Sequence, residues 1–230
     1  MIKIMWTTGL LIGLTGGGLT GGGLIAGSAW AQPAELPAQV VTLGGPAELH
    51  KKGARAWGPA ALRDELDAGD SVRTQVGGRV TLKTASGQAL RLGSRSQAVV
   101  LAPETEAGPT RIRLDNGWLW VAVSPNSPPP TQVEVRAGSG VITVRGAGVG
   151  LRRGPDGSVL VQVHHGTAAC AGPEKQWERT LTGPLELLIP ASGMPGAPGP
   201  LTVDKLEMTW VKWNADQDLA GGYGGAKPAP

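Results

Sequence analysis

Residues Leu66–Ser94 read L-D-A-G-D-S-V-R-T-Q-V-G-G-R-V-T-L-K-T-A-S-G-Q-A-L-R-L-G-S. Within them Ser71–Gln75, Arg79–Thr84 and Gln88–Leu92 alternate apolar with polar side chains, with Val72, Val80, Leu82, Leu90 and Leu92 at period two. That period places one face of each segment on a core and the other toward solvent, which makes them strands rather than helical turns. Ala68-Gly69-Asp70, Gly77-Gly78 and Ser86-Gly87 supply turn chemistry between them. Gly-Gly is read as a hairpin turn, because both central positions of a type I′ turn need positive φ.

The same pattern continues outward. Val40–Leu43 and Ala47–Lys51 precede it, flanking a Gly44-Gly45-Pro46 turn, and Gly53–Asp64, with Trp57 and Pro59, reads as a loop. Downstream, alternating segments recur about every ten residues: Gln97–Leu101, Thr110–Asp115, Trp118–Val123, Gln132–Arg136, Gly140–Arg145, Val149–Arg153, Ser158–His164, Thr167–Ala171, Gln176–Leu181 and Leu185–Ile189. Asn116-Gly117 between two such segments is the clearest hairpin signal, and Pro155-Asp156-Gly157 is a second. Short, evenly spaced strands imply an all-β domain, as a sandwich, a barrel or a solenoid-like wrap.

The order of particular residues resembles a known family. Trp57 precedes Gly69-Asp70 and Val72-Arg73-Thr74; Gly87 and Leu90-Arg91-Leu92-Gly93 follow, with Ser94 and Ser96 behind. Leu114, Gly117, Leu119-Trp120, Val144-Arg145-Gly146, Val161, Val163 and Gly166 extend the likeness from about Val40 to Ile189. This resembles the FecR-type periplasmic domain. The resemblance implies a twisted, solenoid-like stack of short antiparallel hairpins. One departure is Ala147, where the family usually has Thr after Arg-Gly.

The rest of the chain sets the context. Met1–Ala31 reads as a signal peptide: Lys3 forms a small basic start, Gly9–Ala29 is uncharged, and Ala29-Trp30-Ala31 is a cleavage site. Nine glycines between Gly9 and Ala29, each costing about 1 kcal/mol in a helix, argue against a permanent membrane anchor. The mature chain is therefore expected in the periplasm or outside the cell. Residues 38–189 form the β domain, and Pro190–Pro200, with four Pro and three Gly, a linker. Thr202–Leu219 is one amphipathic helix with Val203, Leu206, Trp210, Trp213 and Gln217 along one face, Thr202 as its N-cap and Asp204 in its first turn. Residues 220–230 read as a flexible tail. The Trp-x-x-Trp-Asn ending resembles C-terminal segments of stand-alone FecR proteins.

Composition narrows the function. Phe is absent and there is one tyrosine, so the core is built from Val, Leu, Ile and Trp. The net charge of +3 among 230 residues is too small and too scattered for nucleic acid. Cys170 is the one cysteine, which excludes an intramolecular disulfide; its setting after Ala168-Ala169 on a strand is that of a buried thiol. No G-x-S-x-G, H-E-x-x-H, C-x-x-C or P-loop is present. His164-His165 would point to opposite strand faces and cannot chelate one metal together. No catalytic residue, cofactor or metal is therefore assigned, and an envelope enzyme is the least supported reading.

The candidate binding residues are Arg73, Arg145, Trp118, Trp120, Trp210 and Trp213. The arginines sit in the family motifs, where a structural guanidinium tie outweighs an anion contact. Trp118 and Trp120 share one strand face, which if open is a stacking platform for sugar rings or a partner. Trp210 and Trp213 lie on the helix stripe. Lys51, Lys52, Arg91, Arg95, Arg152 and Arg153 read as scattered solvated charge rather than a basic face. The functional expectation is a non-enzymatic envelope interaction or sensing module with a protein or glycan partner. Its alternatives are peptidoglycan or polysaccharide binding, and a signalling partner in sigma-factor regulation. Signal transducers of this family carry a cytoplasmic anti-sigma segment and a membrane helix ahead of the domain; with two residues before Lys3, direct contact with a sigma factor is not expected.

Overall fold

The computed structural model describes residues 38–105, 108–127 and 131–224. The signal-peptide reading and residues 225–230 of the tail lie outside these. Among the described residues no helix is long and apolar enough to cross a membrane.

The elements are β1 (Ala38–Gly44), β2 (Ala47–His50), β3 (Gly58–Pro59), β4 (Glu65–Leu66), β5 (Ser71–Thr74), β6 (Arg79–Lys83), β7 (Ala89–Leu92) and β8 (Gln97–Leu101). Three long strands dominate the rest: β9 (Thr110–Ala122), β11 (Gly140–Arg153) and β12 (Val159–Ala171). β10 (Val133–Ala137), β13 (Glu178–Thr182), β14 (Leu185–Ile189) and β15 (Gly199–Pro200) flank them, and α1 (Lys205–Gly221) ends the fold. The architecture is all-β with one C-terminal helix.

The long strands are where the hairpin expectation fails. Asn116-Gly117 does not reverse the chain; it is a corner within β9. The first half of β9 runs beside β8 and, in parallel, beside β10, while its second half pairs with β7 and with the second half of β11. Gly117 has φ of +83°, and a Cβ there would lie 2.4 Å from Ser96 Oγ, so the corner is open to glycine alone. β11 bends likewise at Gly146-Ala147, where its register shifts, and β12 near Gly166. Segments that look like successive short strands are therefore single strands folded over the core. Gly77-Gly78 is also no hairpin, because β5 pairs with β2 and β8 whereas β6 pairs with β1 and β7.

The result is one continuous sheet folded back on itself. One half runs β3-β2-β5-β8 into the first halves of β9 and β11; the other runs β4-β1-β6-β7 into their second halves, then to β14 and β15. Between the halves lies one apolar cluster that includes Leu66, Leu82, Leu90, Leu92, Leu119, Val149, Val161 and Leu187. The family-motif polar residues hold the corners. Asp70 is buried, and that burial raises its pKa. Its bonds to Lys51 Nζ (2.8 Å) and to the amides of Lys52 (2.7 Å) and Asp67 (2.9 Å) outweigh it and hold the carboxyl below its usual range. Thr74 Oγ1 donates to the Gly93 carbonyl and accepts from Ser96 N–H, pinning the β7–β8 turn.

The Pro190–Pro200 stretch ends on the sheet, with Gly199–Pro200 pairing with β14. The start of the tail is also packed: Tyr223 is buried and its hydroxyl donates to the Gly87 carbonyl at 2.8 Å.

Candidate functional site

Alternation along β7, β9, β11, β12 and β14 turns one set of side chains away from the core. Registers align two lateral rows on this outer face. Arg91, Trp120, Gly150, Gln162 and Glu186 make one; Trp118, Arg152, Leu160 and Leu188 make the next. α1 lies over the first row, which buries polar side chains on the outside of a β sheet.

The contact is a polar latch. Arg91 Nη1 meets Asp218 Oδ1 at 2.5 Å with both side chains almost fully buried. Trp120 Nε1 donates to the other oxygen of Asp218 at 2.9 Å, and His165 Nε2 stands 3.8 Å from that oxygen. Asn214 Oδ1 accepts from Arg91 Nη1 at 3.5 Å, while its amide nitrogen donates to the Trp210 carbonyl one turn back in α1 at 2.9 Å. At the other end Arg152 Nη1 donates to Glu207 Oε1 at 2.8 Å, and Gln162 Nε2 donates to the Thr202 carbonyl at 2.8 Å. Burial pushes the Glu207 carboxyl above its usual range against the pull of Arg152. A small apolar cluster of Ala89, Trp120, Ala122, Val211 and Tyr223 fills the space between.

The face α1 buries most fully is thus Glu207, Val211, Asn214 and Asp218; of the expected stripe, Val203 and Trp210 pack partly buried against the small cluster. Hydrophobic periodicity is blind to a docking face whose members are satisfied by hydrogen bonds from the sheet. Gln217 is exposed. Asp204, rather than Thr202, caps the helix, accepting from Glu207 N–H at 2.9 Å; Thr202 instead donates its N–H (3.0 Å) and hydroxyl (2.9 Å) to Glu186. Asp204 and Glu207 are spaced as in a capping box, the signal that identifies the true helix start.

Trp120 is 1% exposed beneath α1, so the two-tryptophan stacking platform does not exist. Trp118 is only partly covered and has the Arg152 guanidinium 5.0 Å from its ring centroid. Trp210 and Trp213 stack on each other at 5.5 Å, with Arg79 5.2 Å from the Trp213 ring. Gly93 leaves room for this packing: a Cβ there would stand 2.9 Å from Trp118 and 3.6 Å from Trp210. Arg73 is a structural tie, donating to Glu48 Oε2 at 2.6 Å across the β2–β5 pair and lying 4.3 Å over Trp57. Its hydrogen bond to Glu48 holds that carboxyl below its usual range. Arg145 is exposed and donates to Gln132 Oε1 at 2.6 Å. The six residues are not brought together.

The open feature is a groove of about 1050 Å³ where the second row emerges beyond the start of α1, lined by Trp118, Arg152, Leu160, Leu188, Val76 and Arg95 among others. A second hollow of about 460 Å³ shares Ser94, Trp118 and Arg152 with it and reaches Asp204, Glu207 and Trp210. Arg95, read as scattered surface charge, is one wall. Among the described residues no group of three or more His, Cys, Asp or Glu is placed to hold a metal. His164 Nε2 is buried without a hydrogen-bond partner among the described residues, and burial, reinforced by the neighbouring His165, pushes its pKa down to about 4.

Residues 70–169 match the family model described as FecR protein. Two solved structures share the fold, both described as a candidate anti-sigma factor from Parabacteroides distasonis ATCC 8503. One is 13% identical with a TM-score of 0.50, covering 62% of this chain and 64% of its own. The other is 14% identical with a TM-score of 0.50, covering 66% and 74%. No curated protein matches the chain.

Proposed function

We propose that this chain, whose residues 70–169 match the FecR family, serves sigma-factor regulation as an exported, non-enzymatic sensing module that works by binding another polypeptide. The family match and the relatives' described role support the regulatory part. The division of the outer face carries the binding part. Polar side chains of the kind enzymes use converge beneath α1, where Arg91 and Trp120 already occupy both oxygens of Asp218. The open groove alongside presents arginine, leucine and one tryptophan, a surface for attachment without an acid–base pair.

Deleting the gene in its host tests this through transcript profiling. Altered transcripts confined to the regulon of one alternative sigma factor, restored by the full-length gene, are expected. An unchanged profile under envelope stress overturns the reading. Export is read separately from a C-terminal alkaline phosphatase fusion, whose activity requires passage out of the cytoplasm.

A further inference from the structure

The groove beside α1 carries a more specific reading, which rests on the proposed function only in taking the partner to be a polypeptide. Its floor is the row Trp118–Arg152–Leu160–Leu188, four strands wide. Leu188 is 56% exposed, and Val76, which lines the same groove, is 65% exposed. Neighbouring exposed aliphatic side chains in a concave site mark a contact surface.

The charge is one-sided. Arg95, Arg152 and Arg153 line the groove, and its only lining carboxylate is Asp156. Asp156 is already engaged, accepting from Ser158 N–H at 3.1 Å and Ser158 Oγ at 2.7 Å. Arg153 gives one N–H to the Leu114 carbonyl at 3.1 Å and keeps the rest of its fork. Neither Arg95 nor Arg153 has an ion-pair partner among the described residues, whereas Arg152 shares its charge with Glu207. Planar guanidinium forks suit carboxylates, and low-lying aliphatic side chains suit an apolar residue between them.

We propose that this groove docks an extended polypeptide segment in which apolar and acidic side chains alternate. An anionic glycan fits less well. Arg152 already covers Trp118, Trp120 is beneath α1, and Leu160, Leu188 and Val76 offer sugar hydroxyls no hydrogen bonds.

The test is fluorescence anisotropy on the full-length chain. The probe is a labelled peptide of about ten residues alternating Leu and Glu, long enough to span several strands. Comparators are its Leu–Lys and Ser–Glu counterparts and an oligogalacturonate. The Leu–Glu peptide is expected to bind best, with affinity falling as salt rises. Arg95→Ala with Arg153→Ala weakens it about tenfold, and Leu188→Asp weakens it comparably, while Arg136→Ala with Arg145→Ala, remote from the groove, leaves it unchanged. Equal binding of the Leu–Lys peptide, preference for the oligogalacturonate, an equal loss in the remote pair, or no Leu–Glu binding at millimolar protein overturns the proposal. These outcomes are read in vitro and are independent of the transcript profile, so either reading can fail alone.

Discussion

Replacing Asp218 by alanine removes, among the described residues, the one carboxylate paired with buried Arg91 and the one acceptor of Trp120 Nε1. Removing one partner of a buried ion pair costs about 3–5 kcal/mol, because the other charge is left uncompensated in a low-dielectric site. The β body does not have to bear that cost. Its main apolar cluster contains no residue of α1, so the variant escapes the penalty by releasing the helix and letting water reach Arg91. The expected result is a loss of amide hydrogen-exchange protection over residues 205–221 by two to three orders of magnitude, at about tenfold per 1.4 kcal/mol, with the strands protected as before. Asp218→Asn keeps an acceptor for Trp120 but not the charge, and falls between. Arg91→Met with Asp218→Leu removes both charges together, and docking recovers most of the loss, falling short of the wild type by about 1–3 kcal/mol, the cost of an unpaired Trp120 Nε1. Protection in Asp218→Ala within tenfold of wild type, or a double variant no better than the single, would refute the latch.

Other outcomes follow from the same geometry. His164 has a folded pKa lowered to about 4 from 6.5, so the fold favours its neutral form; stability present above pH 6.5 is lost on acidification toward pH 4, at up to about 1.4 kcal/mol per pH unit. Urea midpoints across that range check this, and His164→Gln is expected to flatten the slope. Gly117→Ala places a Cβ against Ser96 in a left-handed backbone and is expected to destabilise by about 2–4 kcal/mol in denaturant titration; a change below about 0.5 kcal/mol contradicts the corner. Cys170 is 1% exposed, and burial pushes its thiol up to about 12, so a disulfide-exchange reagent at pH 8 is expected to label it only after unfolding.

The strands were legible because alternation survives without any knowledge of partners. Leu90-Arg91-Leu92 and Trp118-Leu119-Trp120 each turn the leucines to the core as read. Pairing was not legible, since a glycine with positive φ serves a hairpin turn and a strand corner equally, and only long-range register tells Gly117 from Gly87. The parallel neighbours β9 and β10 leave no local mark at all. The helix showed itself, but its docking side did not. Glu207, Asn214 and Asp218 look solvated until Arg152, Arg91 and Trp120, far away in sequence, arrive opposite them. The same distance hid the groove, whose arginines come from the turn before β8 and the end of β11, and whose leucines from β12 and β14.

The pairings also bear on how this molecule tolerates dissection. The boundaries of detectable kinship, 70 and 169, cut through a mesh in which β5 and β6 lean on β2 and β1, and β12 on β13 and β14. A fragment trimmed to those limits would bare backbone donors and acceptors along several margins at once and invite self-association. Grafting or recombining this module calls for seams before Ala38 and after Gly224, which keep the described ladders and the Tyr223 contact whole.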